Sequence, residues 1–210
     1  MSAASPEHIS ELVEGLYDRG WACLDHFLDP VESAGLLGEC LEKWFAGDFH
    51  QAGVGRGASK VIREDIRRDQ VLWLDGHGSG SAVAGYWQKL DQLREAINRR
   101  LFLGLKDFEG HFAVYPSGGF YKAHLDRHQG TTDRVLTAIL YLNPEWKPAD
   151  GGRLKLWTTP GDKEGPYEWI EPRMGTLVVF LSGDHWHEVE VAQAQRHSLT
   201  GWFRSDQAWP

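Results

Sequence analysis

Cysteine is scarce in this chain of 210 residues: only Cys23 and Cys40 occur, in neither a CxxC pair nor a zinc-finger spacing. A disulfide framework and a thiolate metal cluster are therefore excluded as organising devices. Two buried free thiols in a reduced, cytoplasmic setting are the expectation. Long apolar runs are missing too. Nothing approaches the ~20 residues of a membrane-spanning helix. MSAASPEHIS has no basic segment followed by an apolar run, so no secretory signal is expected there. Positive charge is in deficit, with 22 Lys and Arg against 30 Asp and Glu and a formal net charge of −8. Nucleic acid and anionic membrane surfaces would repel such a chain, so neither is an expected partner. The best candidate for a local basic patch lies between Arg56 and Arg68. Internal repeats, low-complexity stretches, linkers and a sustained heptad pattern are all lacking. A single domain over 1–210 and a monomer are the expectation.

What is present is an ordinary balance, 41% hydrophobic and 25% charged, with ten Trp, 24 Gly and nine Pro. That mix suits large aromatic core or pocket walls joined by many turns. Residues 1–105 read as helical support and a loop. Ser5 and Pro6 start a helix whose inner stripe is Ile9, Leu12, Val13, Leu16 and Tyr17, and Gly20 ends it. Trp21 to Leu24 is a short strand. Asp29-Pro30 opens a second helix, with Leu36, Leu37, Cys40, Leu41, Trp44 and Phe45 facing inward. Over 47–69 glycine and charge replace periodicity, which reads as a long mobile connection of the kind that serves as a lid or binding loop. Val71 to Leu74 is a strand and GHGSGS (76–81) a turn. Val83, Tyr86, Trp87, Leu90, Leu93, Ile97 and Leu101 form a third helical stripe.

From Phe108 onward the period falls to two. His111 to Tyr115, Phe120 to Leu125, Val135 to Leu142, Leu154 to Trp157, Glu168 to Ile170, Leu177 to Leu181, His187 to Val191 and Ser198 to Phe203 read as strands. Gly, Pro and Asn clusters mark the turns between them. The pattern predicts a mostly β fold with flanking N-terminal helices: a jelly roll (double-stranded β-helix, cupin-like) over 106–205, helices on one outer face.

The chemistry-bearing motif is His124-Leu125-Asp126. Residues i and i+2 of a strand share a face, so the imidazole and carboxylate should project together, with Leu125 pointing into the opposite layer. A third ligand should come from a distant strand across the barrel, and His187 opens an alternating run well placed for it. Two histidines and a carboxylate leave three positions of an ion open, the arrangement of non-haem Fe(II) oxygenases. Arg196 follows His187 by one strand and a turn. Its planar fork suits a carboxylate bound beside the metal.

These residues resemble the 2-oxoglutarate oxygenases, and within them the prolyl hydroxylases related to the hypoxia-inducible-factor enzymes. VYPSGGFYKAHLDRH, RVLTAILYLNPEW, GGRLKLW, EPRMGTLVVFLSGDHWHEV and RHSLTGWF carry the resemblance, which spans roughly Arg63 to Arg204. Bacterial members of this branch lack the zinc finger of some animal members, as does this chain, and are described as acting on a prolyl residue of elongation factor Tu. The resemblance implies Fe(II) held by His124, Asp126 and His187, with 2-oxoglutarate and O2 as co-substrates and ascorbate as an accessory reductant. Arg196 and Tyr141 would bind the distal carboxylate of 2-oxoglutarate. Tyr115 and Thr137 would line the pocket, and Trp202 would wall it near the iron. Arg134 and the Arg67–Asp69 stretch would contact substrate. The implied reaction is C4 hydroxylation of a prolyl residue in a protein, with release of succinate and CO2 and a role in oxygen sensing. Leu140 departs from relatives that carry a second Tyr there, which bears on pocket shape.

Other readings stay open at this point. His185 shares strand parity with His187 and is the alternative third ligand. His111 and His128 read as surface groups or as support behind the site. The oxygenase substrate could be another residue or a small molecule. A metal-binding cupin without turnover and a zinc hydrolase are rivals that leave Arg196 without a purpose.

Overall fold

Proline opens the first two helices and a left-handed glycine closes each. In the computed structural model, which describes residues 5–53, 61–74, 81–127 and 133–206, α1 spans Pro6–Arg19, α2 Pro30–Ala46 and α3 Ser81–Leu101. Gly20 and Gly47 sit at φ 76° and 79°, a conformation glycine takes without steric cost. Ser5 occupies the cap of α1 but makes no side-chain capping bond. Asp29 caps α2 fully. Its carboxylate accepts from the Val31 and Glu32 amides at 2.8 Å, and Glu32 accepts in return from the Asp29 amide. No helix among the described residues is long and apolar enough to cross a membrane. Two residues expected on inner stripes face outward: Tyr17 is 57% exposed and Phe45 82%. Each follows a residue that takes the inward position, Leu16 or Trp44, one step of about 100° around the helix. Arg100 covers the Tyr17 ring instead, its Cζ 3.5 Å from the centroid.

The strands are β1 (Trp21–Leu24), β2 (His50–Gln51), β3 (Gln70–Leu74), β4 (Asp107–Tyr115), β5 (Tyr121–His124) and β6 (Arg134–Tyr141). They continue with β7 (Leu154–Trp157), β8 (Tyr167–Ile170), β9 (Leu177–Leu181), β10 (His187–Val189) and β11 (Arg196–Arg204). A seven-stranded sheet runs β1-β9-β6-β11-β4-β3-β2, and a four-stranded sheet runs β5-β10-β7-β8. This is the expected jelly roll with helices on one outer face. The stretch 47–69 is not structureless: β2 pairs with β3 through His50↔Val71 and Gln51↔Gln70. Two residues are too few to show a period in sequence. Arg56, Lys60, residues 75–80 with most of the GHGSGS turn, and His128 lie outside the described residues.

Strand alternation sorts the large sheet's side chains into two layers. On β6, Leu136, Ala138 and Leu140 join the helices in one core, with Phe112, Val114, Val179, Leu199 and Phe203 from neighbouring strands. The intervening Ile139 and Tyr141, with Val178 and Phe180, pack toward Leu154, Leu156 and Ile170 of the small sheet. The functional residues of β4 and β11 share this second parity. They enter the space between the sheets because their odd and even neighbours are already claimed by the helices.

Candidate active site

His124, Asp126 and His187 converge. One ligand atom from each lies within 4.8 Å of the others. The His124 Nε2 is 3.5 Å from Asp126 Oδ1, and the His187 Nε2 is 3.4 Å from Asp126 Oδ2. Both rings are oriented from behind. His124 Nδ1 donates to the Lys122 carbonyl at 2.8 Å, and His187 Nδ1 to the His185 carbonyl at 3.2 Å. A carbonyl only accepts, so Nδ1 of each ring carries a proton and Nε2 is the atom turned to the shared centre. Burial, helped by the charge of nearby His124, lowers His187 to about 4, so it is a neutral imidazole near neutrality. Burial opposes ionisation of Asp126, but His187 and then His124 outweigh it and hold the carboxyl far below the usual range. Two imidazoles and one carboxylate fit a divalent iron.

The convergence has a different origin from the one expected. β5 ends at His124, and Asp126 follows in a bend whose amide donates to the Ser182 carbonyl at 3.1 Å. The carboxylate therefore does not share a strand face with His124, and Leu125 lines the cavity. His187 does not reach across the barrel either. It is the direct register partner of His124 on the neighbouring strand. His185 is excluded as the third ligand. Its Nδ1 is bonded to the Trp157 carbonyl, and its Nε2 points to within 2.8 Å of where a Cβ on Gly20 would stand.

Beside the triad opens a cavity of about 280 Å³, lined among others by Arg196, Tyr115, Trp202, Arg134 and Arg67. Arg196 is 1% exposed and has no carboxylate partner among the described residues. Its Nε donates to the Gly152 carbonyl at 2.9 Å and its Nη1 to Ser198 Oγ at 3.4 Å, with the Tyr115 and Tyr141 rings at 4.9 and 5.0 Å. Gly152 permits this approach, because a Cβ there would stand 3.1 Å from Arg196 Cδ. A buried cation without its counter-charge calls for an anion from outside. The Tyr141 hydroxyl is also buried, with no hydrogen-bond partner among the described residues. Burial raises both phenols, and the Arg196 charge offsets part of the rise, so each remains a protonated donor. Guanidinium plus spare hydroxyl fit the distal carboxylate of a dicarboxylic co-substrate.

Other expected site residues are placed less uniformly. Trp202 walls the cavity, and the Arg134 guanidinium lies 3.5 Å from its ring centroid while donating to Glu109 at 2.7 Å. Arg67 lines the cavity with its guanidinium 4.2 Å over Tyr121. Asp69 does not face it: Asp69 is 1% exposed and binds Arg67 with both oxygens. Thr137 does not line the open pocket. It is fully buried and donates to Asp126 Oδ2 at 2.8 Å. Tyr121, His111 and Trp73 are further wall residues to which sequence reasoning gave no place in the cavity. Tyr121 stacks on His124 with centroids 3.6 Å apart, and His111 is buried between Trp73 and Trp202. Strand parity with Tyr115 on β4 was the available signal for His111.

Residues 110–204 match the model of the 2OG-Fe(II) oxygenase superfamily. The chain is 42% identical to a Pseudomonas putida prolyl-4-hydroxylase of known structure, with a TM-score of 0.85 over 95% of this chain and 100% of that one. It is 29% identical, at a TM-score of 0.81, to a Trichoplax adhaerens prolyl hydroxylase solved with a hypoxia-inducible-factor oxygen degradation domain peptide. That match covers 94% of this chain and 89% of the other. Prolyl hydroxylase EGLN3 of Mus musculus is 27% identical over 198 residues, 91% of this chain and 81% of the relative.

Proposed function

The chain belongs to the 2OG-Fe(II) oxygenase superfamily, among its prolyl hydroxylases, and on that premise we propose that it hydroxylates C4 of a prolyl residue in a protein. It is an Fe(II)- and 2-oxoglutarate-dependent dioxygenase using O2. Iron would be held by His124, Asp126 and His187. When bound, it supplies the oxidative decarboxylation of 2-oxoglutarate to succinate and CO2, coupled to insertion of one oxygen atom into the substrate C–H bond.

The observation that carries the reading is Arg196, buried beside the triad with no carboxylate of its own among the described residues and the spare Tyr141 hydroxyl next to it. Arg196 would take the distal carboxylate in a fork, orienting the co-substrate toward the metal ligands. Tyr141 would donate to the same carboxylate, and Tyr115 would close that end against water. Trp202, Arg134 and Arg67 line the cavity where a prolyl side chain would rest.

Elongation factor Tu is the first candidate substrate, by analogy with bacterial relatives, in a cytoplasmic setting compatible with the two free thiols. The test supplies Fe(II), 2-oxoglutarate, ascorbate and purified elongation factor Tu, and seeks a gain of one oxygen on a proline by peptide mass spectrometry. Succinate release without modification of any offered protein would sink the substrate assignment. No succinate from metal-loaded enzyme under any substrate would sink the oxygenase reading.

A further inference from the structure

The one carboxylate of the triad is held by groups outside the ligand set. Thr137 Oγ1 donates to Asp126 Oδ2 at 2.8 Å, and Thr137 Oγ1 and Ser182 Oγ stand 2.9 Å apart. An ionised carboxylate only accepts, so the Thr137 proton is committed to Asp126. The bond between the two hydroxyls must then run from Ser182 to Thr137. The order Ser182→Thr137→Asp126 is thereby set, and each bond polarises the next toward the carboxylate. Ser182 grips the same residue a second way: its carbonyl accepts the amides of both Asp126 and Arg127 at 3.1 Å. Its own amide is tied to the Val135 carbonyl at 3.0 Å, so the grip is anchored in β6. Thr137 and Ser182 are 0% exposed, so bulk solvent does not reach either hydroxyl.

We propose that Thr137 and Ser182 are positioning residues for the metal, a hydroxyl relay that orients Asp126 so that it binds through one oxygen. The inference rests on the iron-binding reading above. Asp126 stands beyond the end of β5, where no strand ladder fixes it. Without the relay, its carboxylate would be freer to rotate. Thr137 takes up one lone pair of Oδ2, the oxygen 3.4 Å from His187 Nε2, and leaves Oδ1, 3.5 Å from His124 Nε2, without a hydroxyl partner among the described residues. A single-oxygen ligand preserves the three positions that a chelating co-substrate and O2 require. The hydroxyl at 137 is therefore a requirement of the ion. An apolar side chain of the same shape would fill the space between Trp202 and Phe180, its register partners on β11 and β9.

The experiment titrates metal-free protein with Co(II) alone, with neither co-substrate nor substrate present. Thr137→Val should weaken Co(II) binding by about 10–100-fold, the cost typical of removing a ligand's hydrogen-bond partner. Thr137→Ser should restore it to within a few-fold, and Ser182→Ala should lose less than Thr137→Val in the same direction. Thermal unfolding of the metal-free variants runs in parallel. A lowered midpoint for Thr137→Val with unchanged Co(II) affinity would make the threonine merely structural and overturn the relay. Should Thr137→Val fail to fold, Ser182→Ala decides: wild-type affinity in that variant overturns the relay equally. Wild-type protein that bound no Co(II) would instead sink the metal reading, and the inference with it.

Discussion

The two faces of the large sheet are built from the same strands and obey different rules. Toward the helices, β4, β6, β9 and β11 present Phe112, Leu136, Leu140, Val179 and Leu199, where volume is what matters. Toward the small sheet, neighbouring positions present Tyr115, Thr137, Tyr141 and Arg196, where a particular atom matters and shape alone does not suffice. The lesson is that alternation of period two does more than bury a core. It lets one strand serve stability on one side and chemistry on the other.

Exchange of the two kinds of residue should separate the two kinds of loss. Arg196→Ala should weaken 2-oxoglutarate binding by about 3–5 kcal/mol, since truncating one partner of a buried charged pair is costly. Equilibrium titration of the metal-loaded protein reads this. Arg196→Lys should recover only part, because an ammonium cannot fork to both oxygens. Unchanged affinity in Arg196→Ala would erase the distinction between the faces. On the helix side, Leu140→Ala should destabilise by about 3 kcal/mol in urea unfolding while leaving co-substrate affinity intact in the folded fraction.

A smaller effect tests an exception. His197 lies on the helix-facing parity of β11, beside α2, and burial plus the Arg196 charge lower it to about 4. His187 on the small sheet is lowered to the same value. Unfolded histidine titrates near 6.5, so below that pH the unfolded chain binds protons that the native one refuses. Stability of the metal-free protein should therefore fall as pH drops from 7 to 5, each histidine contributing on the order of 2 kcal/mol. His197→Gln should remove one share of that slope in thermal scans. The smallest effect is expected at Phe45, 82% exposed despite its place in an apolar stripe. Phe45→Ser should change stability by no more than about 0.5 kcal/mol.

The jelly roll was legible because turns and alternation recur throughout the second half of the chain. The triad was legible because an imidazole and a carboxylate two residues apart, with a later His-Glu-Val and an Arg, have few joint explanations. The geometry that unites them was not. Nothing local says that β5 stops at His124, or that His187 pairs beside it. Register between distant strands is set by the whole ladder. Thr137 was singled out only through the family resemblance, as a pocket wall; within LTAILY itself it shows a pattern shared by any buried hydroxyl. Asp69 sat in a run of charge that looks solvated, and only the fold reveals it buried against Arg67. β2 was invisible because a two-residue strand has no period to detect.

The pairing of His187 with His124 has a mechanical side as well. β5 is an edge strand joined to β10 by two residue pairs with an irregularity between them. An ion bridging the two imidazoles would rivet the last residue of that strand to its neighbour at the point where the ladder runs out. The rim of the catalytic mouth, which Ile66 and Arg68 hold from the other side through the Lys122 amide and the Phe120 carbonyl, would gain a second anchor in the rivet. Draining the ion would remove the reagent and slacken the doorway in one stroke.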